Sequence, residues 1–250
     1  MTTVHKLQNS SIIKKDTNKY EIHIKNISDK YSFWNNLFMS PILQGIPHSI
    51  NNDDNDGAVI SINANSVNTL REFLKNSKNL MRYDQTYTLF KDIMFFLKTL
   101  EKDGFTIPYF SLHDFVVFYI SKEDDSDKGF GKLFFLLLND ENVMKINEER
   151  KTLSINFPPS DYQFVSPEFL QIDSIPTEIH KNSMLFSLAS LCSFCLTNKN
   201  ILNKEQLELD ETEFIENNTR IINVIKDTNL FWSFIRCLEK DPERRIYVLI

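Results

Sequence analysis

The longest regular pattern in the chain is at Tyr83–Lys102. Apolar residues at Tyr87, Phe90, Ile93, Met94, Leu97 and Leu100 recur there with the 3.6-residue period of a helix that buries one face. Gly104 marks its expected end. Upstream, "YEIHIKN" (20–26) alternates with a period of two and predicts a short strand, while "DKYSFWNNLF" predicts a short helix. "HSINNDDNDGAVISINA" reads as an acidic, Asn-rich turn feeding another strand. Ser66 is the expected cap of "VNTLREFLKN", with Leu70, Phe73 and Leu74 on one face and Glu72 in the next turn. Downstream of the long helix, "FVVFYI" and "KLFFLLL" are β-type runs joined by the acidic "SKEDDSDKGFG". "VMKIN" and "TLSINF" suggest a second, shorter hairpin.

Beyond Pro158 the pattern is helical again, in "PEFLQI", "HKNSMLFSLASLCSFCLT", "KEQLELDETEFIENNTRIINVI" and "NLFWSFIRCLEK". The expected class is therefore α+β with two lobes, and no internal repeat interrupts it. Residues 1–18, polar and aperiodic, are expected to form a mobile N-terminal arm. Residues 19–82 should make a reduced β-containing small lobe and hinge, and residues 83–250 a helical large lobe.

Composition narrows the function classes. With 42% apolar and 25% charged residues the chain is ordinary globular material. A net charge of -6 with scattered basic residues argues against nucleic acid as a partner. Cys192, Cys195 and Cys237 cannot pair completely, which favours a reducing compartment, and Cys192 and Cys195 sit in an apolar helical run where buried thiols are expected. The N-terminus lacks the apolar core of a signal peptide and no apolar run is long enough to cross a bilayer, so a soluble, intracellular, cytoplasmic protein without a membrane partner is expected. Richness in Asn, Lys and Ile suggests an AT-rich genome. Only 5 glycines are present, which matters because a phosphate cradle needs glycine where backbone approaches an anion.

Candidate chemistry lies in a few short motifs. "FVSPEFL" places Ser166-Pro167-Glu168 at a helix start, "SMLFSLASL" puts Phe186, Ser187, Leu188 and Ala189 in the next helix, and "CLEKDPERRI" carries Arg244 and Arg245 after an Asp-Pro turn. In that order, with the long helix, the loop at 107–114 and the hairpin after it, they resemble the large lobe of protein kinases over residues 66–250. The resemblance implies that Glu168 closes an activation-type segment and pairs with Arg245. It also implies that "IPYFSLHD" is a catalytic-type loop, with Ile107-Pro108-Tyr109 at the family's His-Arg-Asp, Ser111 at its lysine and Asp114 at its metal-binding asparagine. The base position is then a tyrosine, whose phenol is a poor base near neutral pH. Asp140, in "LLLNDEN", stands at the metal-binding Asp-Phe-Gly position, and Glu148 does so in a competing register. Lys25 of "EIHIKN" is the candidate phosphate-binding lysine, yet no glycine precedes it and the following helix offers Asn35 and Asn36 in place of a glutamate.

The resemblance therefore implies a degenerate member, a pseudokinase. Such a chain would have no catalytic base, no cofactor and no metal, and would act as an interaction or regulatory scaffold for a protein partner. One alternative is a divergent serine/threonine kinase using ATP and Mg²⁺ through Lys25, Asp114 and Asp140. Another is a helical adaptor unrelated to kinases, which would have no hairpin between the long helix and Ser166-Pro167-Glu168. "GFGK" (129–132) lacks P-loop spacing and is expected to be a hairpin turn. His113 and His180 have no companions at metal-ligand spacing.

Overall fold

A computed structural model of the chain describes residues 2–53, 56–121, 131–159, 163–203 and 205–248. The chain begins with strands β1 (Thr2–Lys6), β2 (Ser10–Asp16) and β3 (Lys19–Lys25). Helices α1 (Tyr31–Phe38) and α2 (Pro41–Gln44) follow, then β4 (His48–Asp53), β5 (Gly57–Asn63), β6 (Ser66–Thr69) and α3 (Leu70–Asn76). The long helix α4 (Tyr83–Lys102) and β7 (Phe105–Thr106) lead to the hairpin β8 (Phe115–Ile120) and β9 (Lys132–Leu137). The remainder is β10 (Met144–Lys145), β11 (Thr152–Ile155), α5 (Pro167–Leu170), β12 (Thr177–His180), α6 (Ser183–Thr197), α7 (Glu211–Ile221) and α8 (Asn229–Cys237).

These elements form two compact units. The first comprises Met1–Asn76 and Leu112–Glu141, the second Ser77–Ser111 and Asn142–Ile250. The boundaries differ from the expected ones because the β8–β9 hairpin, placed by sequence in the large lobe, pairs through β8 with β6 and so belongs to the first unit.

In the first unit an antiparallel sheet has the order β1-β2-β3-β5-β4, with α1 and α2 inserted between its third and fourth strands in sequence. Its buried face carries Ile12, Tyr20, Ile22, Ile24, Ala58, Ile60 and Ile62, at alternate positions that the register brings into rows, such as Ile12↔Ile22 and Ile22↔Ile60. Residues 2–16, expected as a mobile arm, are instead β1 and β2. The alternation of β2 is real but disguised, because one of its inward positions is Ser10, 4% exposed, whose hydroxyl donates to the Leu138 carbonyl. His48–Asp53, read as part of a turn, is the strand β4.

Two other expectations change. Ser66 lies in β6, and α3 is capped by Thr69, whose hydroxyl accepts from Glu72 N at 3.2 Å while the Glu72 carboxylate accepts from Thr69 N at 3.0 Å. The segments carrying β10 and β11 meet only at the antiparallel bridge Asn147↔Thr152, a hairpin shorter than expected; β10 pairs mainly with β7 and β11 with β12, partners far apart in sequence. Residues 122–130, most of the predicted acidic connection and Gly129 of "GFGK", lie outside the described residues, as do Asp54 and Asn55. Gly131, next to them, faces the Tyr119 ring so closely that a Cβ there would collide with it, a packing reason for glycine.

The second unit is centred on α4 and α6. Leu89, Phe90, Ile93, Met94, Phe96, Leu97 and Leu100 of α4 are buried, and α4 ends at Lys102, before Gly104 at φ +81°. α6 is buried on nearly all sides, including Cys192 and Cys195. No helix of the described residues is long and apolar enough to cross a membrane.

Candidate functional site

The candidate residues divide between the two units. In the first, Lys25 is exposed at the end of β3. α1, the next α-helix, presents Asn35 and Asn36 and contains no acidic residue. Asp114 and Asp140 flank the open end of the β8–β9 hairpin, where Phe115 pairs with Leu137. Both are buried, at 4% and 1% exposure. Asp114 accepts from Asn139 Nδ2 at 2.8 Å, and Asn139 Oδ1 in turn accepts from Glu141 N at 3.1 Å. Asp140 accepts from Asn9 Nδ2 at 3.2 and 3.1 Å, one bond to each oxygen, and from Trp34 Nε1 at 3.1 Å.

Burial raises the Asp140 pKa above the ordinary aspartate range, and the Asn9 and Trp34 bonds together with the Lys30 charge only partly offset it. Glu148, the competing choice, is exposed in the turn after β10. Asp140 instead shortly precedes β10, which pairs with β7 ahead of the 107–111 loop. Among the described residues no group of three or more His, Cys, Asp or Glu is placed to hold a metal ion. His113 accepts from Arg71 Nη1 at 2.8 Å through Nε2, so that ring nitrogen is engaged as an acceptor.

In the second unit Tyr109 is 7% exposed and packs with Ile146, Leu153, Ile155, Val165, Phe169 and Ile179. Its ring meets Phe169 edge to face, at 5.3 Å and 82°. Ile107, Pro108 and Phe110 beside it are buried as well. Ser187 of α6 donates to the Pro108 carbonyl at 2.9 Å, fixing the loop to the central helix. The Tyr109 ring thus fills space in an apolar cluster.

Glu168 and Arg245 form a bidentate ion pair, with Nη1 to Oε1 at 2.6 Å and Nη2 to Oε2 at 2.8 Å. The guanidinium is fully buried, donates from Nε to the Glu239 carbonyl at 2.8 Å and from Nη2 to the Lys240 carbonyl at 2.9 Å, and lies over the Phe186 ring at 5.1 Å. Ser183 Oγ lies 2.7 Å from Glu168 Oε1 and 2.6 Å from the His180 carbonyl, and its single proton serves one of them at a time. Burial alone would raise the Glu168 pKa; the hydrogen bonds and charge of Arg245 outweigh it and hold the carboxyl below the usual glutamate range.

Sequence reasoning singled out Glu168, Arg245, Asp114, Asp140, Tyr109 and Lys25, named Ser187 within a motif without assigning its bond to the Pro108 carbonyl, and missed the partners Asn9, Trp34, Asn139 and Ser183. No protein-family model matches the chain, and no curated protein matches it.

Proposed function

We propose that this chain is a kinase-like domain without phosphotransfer activity, serving as an interaction or regulatory scaffold. Support comes from the order of its parts. A five-stranded antiparallel sheet has a lysine at the end of its third strand and a helix next, as kinases have. A long helix, a loop, a hairpin, an aspartate and the Glu168–Arg245 pair then follow in the sequence that the family resemblance requires. The hairpin before Ser166-Pro167-Glu168 is a feature the unrelated-adaptor reading does not predict.

The observation that carries the reading is Tyr109. The position of the family's base is held by a side chain packed edge to face on Phe169 in an apolar cluster. Missing parts accompany it: no glycine precedes Lys25, and α1 has no carboxylate to hold it. Phosphoryl transfer works by positioning and charge stabilisation, so these losses remove most of what catalysis would use. Binding remains as the activity such a fold can supply.

The test is incubation with radiolabelled ATP, Mg²⁺ or Mn²⁺ and general acceptor proteins. No label should pass to the chain itself or to an acceptor. Transfer that Lys25→Ala and Asp114→Ala both abolish would instead establish the divergent kinase.

A further inference from the structure

The turn between β1 and β2 is fastened by side chains to the exit of β9. Asn9 in that turn donates Nδ2 to both oxygens of Asp140, while its Oδ1 accepts from Asn26 Nδ2 at 3.3 Å and its carbonyl from Lys25 N at 2.8 Å. Both ends of the amide are thus committed. Ser10 adds the bond to the Leu138 carbonyl at 3.1 Å, and Trp34 of α1 adds its indole N–H to Asp140 Oδ2. One carboxylate with 1% exposure therefore gathers a hairpin turn, a helix and a strand exit.

A buried carboxylate must find donors, because its charge is costly without them. Here the chain supplies the donors itself. Three N–H bonds already take most of the roughly four lone-pair sites of the carboxylate, both of those on Oδ2 included, so a divalent cation would have to displace them, and Mg²⁺ also keeps several of its own waters, for which a group this buried leaves little room. We propose that Asp140 is the latch of the N-terminal hairpin, with the Asn9 amide standing where a cation would otherwise sit. The carboxylate is committed to holding β1 and β2 in place and is closed to metal. The cation clause rests on the kinase-type reading of Asp140; the latch does not.

Hydrogen exchange on the full chain tests the latch. Comparing wild type, Asn9→Ala, Asp140→Asn and the double variant, exchange across residues 2–16 should rise about tenfold in Asn9→Ala, as expected for loss of a bond to a charged group. β4 and β5 should be unchanged, and the double variant should exchange no faster than Asp140→Asn alone. Hairpin exchange within about twofold of wild type in Asn9→Ala, or single effects that simply multiply, would overturn the latch. Should Asp140→Asn not fold, the Asn9→Ala comparison with wild type decides the latch by itself. Electron paramagnetic resonance with millimolar Mn²⁺ tests the cation clause: no saturable binding is expected, and binding that Asp140→Asn abolishes would overturn that clause while the exchange result judges the latch.

Discussion

Glu168 and Arg245 stand 77 positions apart, yet both were legible in the sequence, because a carboxylate at a Ser-Pro-Glu helix start and an arginine after Asp-Pro are recognisable types at recognisable places. Asn9, Trp34 and Asp140 were not legible as a group: an asparagine in a polar turn and a tryptophan on an apolar helix give no hint of a shared partner more than a hundred residues on. The Glu168 pair makes a quantitative prediction. Glu168→Ala leaves a guanidinium buried without its counter-charge and should cost about 3–5 kcal/mol in urea denaturation at neutral pH. Since the folded-state pKa of Glu168 is depressed, its stabilisation is complete above about pH 4.3 and is lost as the pH falls through the lower folded-state value. The stability gap between wild type and Glu168→Gln should therefore narrow on acidification below that point, and a gap independent of pH would contradict the assignment. At Tyr109, placing the aspartate that kinases carry at the matching position should not create a base. Tyr109→Asp removes a packed ring and buries a carboxyl among apolar side chains, so it should destabilise by more than about 3 kcal/mol and gain no ATP turnover. Tyr109→Phe should stay within about 1.5 kcal/mol of wild type.

Elements with a strong period were read well and elements without one were not. α4 was found at both ends because its apolar stripe spans the full length and a left-handed glycine follows it. β2 was missed because an inward serine breaks the apolar alternation, and the Ser66 cap was misassigned because Thr69, also a good cap, stands three residues on. Thr69→Ala should cost about 1 kcal/mol of stability through loss of the cap, more than Ser66→Ala, and equal effects would contradict the capping geometry. In α6 the apolar run correctly implied buried thiols. Burial pushes the thiols of Cys192 and Cys195 well up, and that of Cys237 on α8 to about 12. Since the thiolate is the reacting species, none of the three should react with an alkylating reagent in the native protein, and all should react together as urea unfolds it. Fast labelling without denaturant would show that the second unit opens locally.

At the level of the whole molecule, a mixed α and β class followed directly from the alternation of strand-type and helix-type periods. Strand pairing did not. The β6–β8, β7–β10 and β11–β12 partnerships join residues 22 to 53 positions apart, and no local pattern specifies such partners, so the hairpin was assigned to the wrong unit. The resemblance to kinases supplies an order of parts, and the proposed function depends on the reading that several of those parts carry no chemistry in this chain. The most direct test is thermal denaturation of the full chain with and without millimolar Mg²⁺–ATP. A ligand at a hundred times its dissociation constant would stabilise by about 2.7 kcal/mol, or about 5–11 °C for a chain of this size. The melting temperature should not move. A metal-dependent rise of that size, abolished by Lys25→Ala, would mean that the chain binds nucleotide as an enzyme does.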